Sequence, residues 1–247
     1  YLHRRAVWRA RRNFIQRLMK TDGSWCVAPS EMERMANSYF KAVFTKDTTL
    51  DPNEVLDSIV PMVSEEMNEA LCEQYTVEEI SNTLFQIGPL KAPGCDGFPA
   101  MFYQRNWAVL KDEIVAVVRE FFTTGVMPDG VNDTAIVLIP KVPHPIELKD
   151  FRSISLCNVV YKIVSKCMVN RLRPLLSKLI SENQSAFIPG RLISDNSIIA
   201  FECIHHIQSA KENSPALCAY KLDLSKAYDR VYWSFLERAL SKWGFSN

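Results

Sequence analysis

The sequence predicts an α+β fold rich in helix, and three observations carry that reading. Apolar residues recur at helical spacing in several separate stretches, the clearest being SEMERMANSYFKAVF and KDEIVAVVREFFTTG. Two runs of strand character, TAIVLIPK and ELKDFRSISL, lie close together around a Pro-His-Pro turn. Near the C-terminal end, YKLDLSKAYDRVYW reads as a strand breaking into a helix. With 247 residues, 47% hydrophobic and 23% charged, the chain suits one large or two small globular domains. No apolar run approaches a membrane span, and no hydrophobic core of a signal peptide follows the basic first residues. The seven cysteines are scattered without a CxxC pair, the pattern of reduced thiols inside a cell.

The elements follow in order. Residues 1 to about 20 alternate arginine with Val7, Trp8, Phe14, Ile15 and Leu18, a helical pattern that ends at the turn TDGSW. In the next helix Met32, Met35, Tyr39 and Val43 share a face, with Ser30 and Glu33 spaced as a capping box. Two short helices are expected behind Ser64 and Thr76, the latter with Glu79 three residues on. LKAPGCDGFPAMFY holds too many prolines and glycines around Asp96 for a helix or an inner strand, so an ordered loop is expected. A helix closed by Gly125 leads to the strand ending in Pro140 and Lys141. Arg152 follows on the second strand. NVVYKIVSKCMVNRLRPLLSKLI sets Val160, Ile163, Val164, Cys167 and Met168 on one helical face and Lys162, Lys166 and Arg173 on another. SENQSAFIPGRLISDNS is a loop turning at Gly190 and Arg191, before the helical IIAFECIHHIQSA. In the last segment Tyr220, Leu222 and Leu224 alternate with Lys221, Asp223 and Ser225, and Asp229 is placed to cap the helix after it or to favour its dipole.

Charge is blocked rather than mixed. Arg4, Arg5, Arg9, Arg11, Arg12, Arg17 and Lys20 stand in the first twenty residues without an acid, and a second basic block runs from Lys141 to Lys178. Asp47 to Glu79 carries ten acids and no Lys or Arg, so the net charge of +1 conceals two basic surfaces. These fit a polyanionic partner, or two ordinary solvated helix faces. Lys141 and Arg152, at the tips of adjacent strands, could hold a triphosphate or be plain exposed cations. Asp223 at a strand end suits Mg²⁺ carrying phosphates, or a salt bridge with a lysine. Cys203, His205 and His206 fit no common zinc spacing.

The ordered set KAPGCDGFPAMFY, LIPK, FRSISLCNVVYKIVSK, NRL, NQSAFIPGR and KLDLSKAYDRV resembles the reverse transcriptase of plant non-LTR (LINE-type) retrotransposons. The stretch through GSWCVAPSEMERMANSYFKAVFT resembles the connector between such an element's endonuclease and its polymerase. The resemblance implies a partial right-hand polymerase: a helical connector over residues 1–80, then fingers and an incomplete palm over 81–247. It implies that Asp223, with the carbonyl of Leu224, binds two Mg²⁺ ions, and that Tyr228 closes the sugar pocket against a 2′-hydroxyl. By the same match Lys141 and Arg152 hold the incoming dNTP, and Gln184, Gly190 and Arg191 belong to a loop near the template. RNA template and DNA primer are the implied partners, and the nucleus or cytoplasm the implied location.

The sequence departs from the family pattern at Ser153 and Cys95, both usually Pro, and at Tyr228, usually Phe. No Tyr-x-Asp-Asp occurs in the 247 residues, so the second pair of metal-binding carboxylates is missing. The expectation is therefore a polymerase piece truncated before its active site is complete, inactive by itself, with its palm strand poorly paired. A non-enzymatic nucleic-acid-binding remnant and a group II intron maturase are the alternatives.

Overall fold

A computed structural model describes Trp8 and residues 13–45, 53–209, 217–224 and 227–246. Arg4, Arg5, Arg9, Arg11 and Arg12 of the first basic block, together with Ser225, lie outside the described residues. The chain falls into two compact units, Tyr1–Asp47 with Tyr75–Ser165, and Thr48–Gln74 with Lys166–Asn247. Among the described residues no helix is long and apolar enough to cross a membrane.

In the first unit the expected N-terminal helix does not reach residue 20. Leu18–Met19 (β1) pairs antiparallel with Trp25–Cys26 (β2), Leu18 opposite Cys26. The turn between them outcompetes helix continuation because Asp22 takes hydrogen bonds from the backbone N–H and hydroxyl of Ser24, at 2.8 and 2.7 Å. Helix α1 (Pro29–Phe44) begins one residue before the expected cap, with Pro29 in its first turn and Ala28 as N-cap. Ser30 is inside the helix, so its capping box with Glu33 does not form. Met32, Met35 and Tyr39 of α1 pack on the buried cluster of Leu18, Leu148 and Phe151.

Helix α4 (Val77–Phe85) starts with the expected capping box, Thr76 accepting from Glu79 N–H and the Glu79 carboxylate from Thr76 N–H. Helices α5 (Ala100–Arg105) and α6 (Trp107–Thr124) pack with it around Ile80, Leu84, Ala100, Tyr103, Val115 and Val118. Gln104 closes the end of α4 by donating to the carbonyls of Leu84 and Ile87 at 3.0 and 2.9 Å. The last residue before Gly125 is Thr124, and Gly125 is left-handed, as the sequence predicts.

The small antiparallel sheet expected for the fingers is present. Strand β3 (Thr134–Pro140) pairs with β4 (Phe151–Cys157), from Thr134 opposite Cys157 to Pro140 opposite Phe151. The KAPGCDGFP loop packs against the residue that follows β4. Asn158, 5% exposed, accepts from Asp96 N–H at 3.2 Å and donates to the Gly130 carbonyl at 2.8 Å. A Cβ on Gly94 would stand 2.1 Å from Asn158 Oδ1 and 2.4 Å from its backbone nitrogen, so only glycine fits. Asp96 caps its own turn through Phe98 N–H at 3.1 Å and receives the Tyr103 hydroxyl at 3.3 Å.

In the second unit, α2 (Asn53–Asp57) and α3 (Glu65–Cys72) come from the acidic stretch, with Ser64 capping α3 as expected. Its charge is answered locally: Lys242 of α10 (Trp233–Trp243) pairs with Asp57 at 3.1 Å, and Arg238 bonds Asn53. Asn68 clasps the end of α10 through the Gly244 carbonyl and Ser246 N–H, at 2.7 and 3.0 Å. Helix α7 (Val159–Leu172) buries Val159, Ile163 and Val164, which belong to the first unit, and Cys167, while Met168, expected on that face, is exposed. Helix α8 (Leu176–Leu179) precedes the NQSAFIPGR loop, and α9 (Ile193–Gln208) starts five residues earlier than the sequence predicts. Asp229 does not cap α10, whose N-cap is Tyr232; it lies in a short 3₁₀ turn, Tyr228–Arg230.

Two outcomes test this packing. Gly94→Ala forces its Cβ onto Asn158 and should destabilise the chain by about 3 kcal/mol, read as a lower urea midpoint. Burial first, and then the Asp96 carboxylate, push the Tyr103 hydroxyl up to about 12. A group whose folded pKa lies above its unfolded value stabilises fully below the unfolded value, here about 10, and loses that contribution as pH rises through about 12. Phenolate absorbance should therefore show one late-ionising tyrosine that Tyr103→Phe removes.

Candidate nucleotide and template site

Lys141 and Arg152 sit at the same end of the β3–β4 hairpin, because Ile139 pairs with Arg152 and Lys141 follows the last paired residue, Pro140. The turn joining the strands is braced by hydrogen bonds. Lys141 N–H donates to the Asp150 carbonyl at 2.8 Å, and the Asp150 carboxylate takes N–H bonds from Ile146 and Glu147, both at 3.0 Å. Those backbone donors hold the Asp150 carboxyl below the usual carboxylate range. The Lys141 ammonium donates to the Lys149 carbonyl at 2.9 Å and retains two further donors. The Arg152 guanidinium is exposed and has no hydrogen-bond or ion-pair partner among the described residues. The structure thus brings together the two cations the sequence nominates.

Gln184, Gly190 and Arg191 also come together, in the loop between α8 and α9, but Arg191 faces inward. Its guanidinium donates to the carbonyls of Ile180 at 3.1 Å, Ser181 at 2.5 Å and Gln184 at 2.6 Å. These are carbonyls at the end of α8 and in the loop after it, which the planar fork of arginine can reach at once. Gly190, at φ +78°, makes the turn that returns Arg191 to them. Gln184 spends its amide on the Ala186 carbonyl at 3.3 Å. Beside the loop lies an open cavity of about 560 Å³, lined by Glu182, Asn183, Ser185, Arg191, Asp195 and Asn196 together with apolar surface. The Ser185 hydroxyl is buried without a partner among the described residues.

Two aromatic rings that the sequence does not connect meet here. Phe187 has φ +66° and stands edge-to-face with Tyr228, ring centroids 6.3 Å apart. The residues between them in sequence give no sign of that contact, since it joins a loop to a 3₁₀ turn.

The Asp223 segment differs from expectation. Residues 217–224 form no strand, and Leu222 and Leu224 are both 78% exposed. Alternation alone does not make a strand: without a sheet neighbour the backbone bonds go to water and neither face is buried. Among the described residues no three His, Cys, Asp or Glu side chains gather where they could hold a metal. One carboxylate and the Leu224 carbonyl do not supply the donors that two divalent ions need. Reverse transcriptases in general use divalent ions, yet the residues present do not fit such a centre by themselves.

Comparison with known proteins bears on the same residues. Residues 139–247 match the family described as reverse transcriptase (RNA-dependent DNA polymerase), a segment that contains every nominated site residue. Over 235 residues the chain is 32% identical to the transposon TX1 uncharacterized 149 kDa protein of Xenopus laevis, covering 95% of this chain and 18% of that protein. Over 157 residues it is 27% identical to the retrovirus-related Pol polyprotein from type-1 retrotransposable element R2 of Bradysia coprophila, covering 62% of this chain and 17% of that one. The chain therefore spans less than a fifth of the length of these relatives.

Replacing Arg191 tests its inward role. Arg191→Ala should cost about 2 kcal/mol and speed amide exchange in residues 181–191 while leaving α6 unchanged. Arg191→Lys should not rescue it, because a point charge cannot reach three carbonyls. The matched segment and the two transposon relatives support a reverse transcriptase fragment of a LINE-type element.

Proposed function

We propose that this chain carries the nucleotide- and template-handling part of a polymerase that copies RNA into DNA for a plant LINE-type element. In this reading residues 1–80 are the connector, and 81–247 the fingers and part of the palm. Lys141 and Arg152 bind the triphosphate of the incoming dNTP, Tyr228 screens its sugar, and the loop of Gln184, Gly190 and Arg191 lies beside the template. Asp223 and the Leu224 carbonyl contribute to a Mg²⁺ site whose other carboxylates are not in this sequence. The observation that carries the reading is the presentation of two cations from one end of a braced hairpin, which suits a polyphosphate better than a single anion. The motif wording supports a plant parent. Seven unpaired thiols support action in the nucleus or cytoplasm, where they stay reduced.

The incomplete donor set gives weight to a second reading, in which the chain binds nucleic acid without catalysis. One experiment addresses both: the purified chain is given template–primer, dNTPs and Mg²⁺, and extension and binding are followed together. No extension is expected. A dNTP affinity about tenfold weaker in Lys141→Ala and in Arg152→Ala supports the polymerase reading, each cation losing one charge-assisted contact. Binding of template–primer that weakens with salt, without any dNTP binding, favours the second. Robust synthesis by these 247 residues would sink the incomplete-site reading.

A further inference from the structure

We propose that an open cavity in the first unit, walled by the β1–β2 turn, helix α1 and the turn before β4, binds a small aromatic anion. It measures about 930 Å³, within the size range of small-molecule sites. Its apolar surface comes from Met19, Met35, Tyr39 and Leu148, at least one residue from each wall. Met35 and Tyr39 pack on the buried cluster to which Leu148 belongs, so this surface is an open margin of the core. The walls are tied together before any ligand enters. Met19 N–H donates to the Ile146 carbonyl at 2.8 Å, joining the first turn to the one before β4. Lys20 pairs with Glu31 at 2.6 Å, joining it to α1, and the buried Cys26 thiol donates to the same carboxylate at 3.3 Å.

The charge of the ligand follows from the rim. Among the described residues five charged side chains line the cavity, Lys20, Arg34 and Lys149 against Glu31 and Glu147. Each acid is answered at close range, Glu31 by Lys20 and Glu147 by Lys149 at 2.7 Å. Asp22, outside the lining, accepts from Ser24 within its own turn. Arg34 is left over. Its Nε donates to the Ser30 carbonyl of its own helix at 3.4 Å, while its two terminal nitrogens have no hydrogen-bond or ion-pair partner among the described residues. A guanidinium fork free beside apolar surface suits a carboxylate or sulfonate. The two methionines favour an aromatic body, since thioethers adapt to an irregular outline and make favourable contacts with ring edges. Neither Lys141 nor Arg152 lines the cavity, so the site is separate from the proposed triphosphate contacts.

The test titrates the 247-residue chain with two fluorescent probes of similar shape, the anion anilinonaphthalene sulfonate and the neutral phenylnaphthylamine. The anion should saturate one site and bind about tenfold more tightly than the neutral probe, the scale of one charge-assisted contact. Arg34→Met, which keeps most of the apolar stem, should weaken the anion about tenfold and leave the neutral probe unchanged. Ser38→Trp fills the cavity from α1 and should abolish binding of both probes. Glu33→Trp, on α1 but outside the lining, should leave both as they are. Unchanged anion binding or an equal loss of both probes in Arg34→Met overturns the proposal. So does binding that survives Ser38→Trp, binding lost in Glu33→Trp, or uptake of the anion by the natural chain without saturation.

Discussion

The approach of Gly94 to Asn158 is the constraint on which the first unit depends. A buried asparagine with unmet hydrogen-bonding capacity would be costly, and here its carbonyl and amide reach two separate segments, at Asp96 and Gly130. The contact requires a residue without Cβ at position 94, which accounts for a Pro-Gly-rich loop between well-formed helices. It also fixes one end of the β3–β4 hairpin, since Asn158 follows the last residue of β4. At the opposite end Phe151 and Leu148 are held in the cluster with Leu18, and there the two cations stand. A hairpin of seven-residue strands with exposed faces would be marginal alone, and anchorage at both ends gives Lys141 and Arg152 defined positions.

A second regularity is the use of long polar side chains to satisfy carbonyls at helix ends and in loops. Gln104 serves the end of α4, and Arg119 donates to the Tyr75 carbonyl at 2.9 Å. In the second unit Arg171 reaches the carbonyls of Leu71, Glu73 and Gln74 after α3, and Arg191 those after α8. Each bond removes an orphan acceptor and fixes a loop. Arg171 therefore counts toward the second basic block without being available to phosphate. Lys162 likewise donates to the Ala92 carbonyl at 2.9 Å. Among the described residues, the cations left for a polyanion are fewer than the charge blocks imply.

What was legible in the sequence was set by local chemistry. Thr76 with Glu79, Ser64, and Gly125 after α6 are signals whose physics is complete within four residues, and the structure shows each of them. The hairpin was legible because two apolar runs flank a short turn-rich link. Ser30 and Asp229 failed as caps because a competing start, at Pro29 and at Tyr232, set the helix boundary instead. The strand expected around Asp223 failed for a different reason: pairing is a property of two segments, and alternation in one cannot supply the other. The same limit concealed the inward turn of Arg191 and the contact of Phe187 with Tyr228, which depend on carbonyls and rings from elsewhere in the chain.

The loop between α8 and α9 shows how a strained residue is kept in place. A non-glycine residue in the left-handed region costs about 1–3 kcal/mol. Burying Ile188 returns about 2 kcal/mol, and the Arg191 bonds add more than one ordinary hydrogen bond because the donor is charged. The balance favours the observed loop only while both anchors act, so the conformation of Phe187 follows from its neighbours and not from its own ring. That division lets residue 187 vary without loss of the fold, whereas Ile188 and Arg191 are structurally constrained.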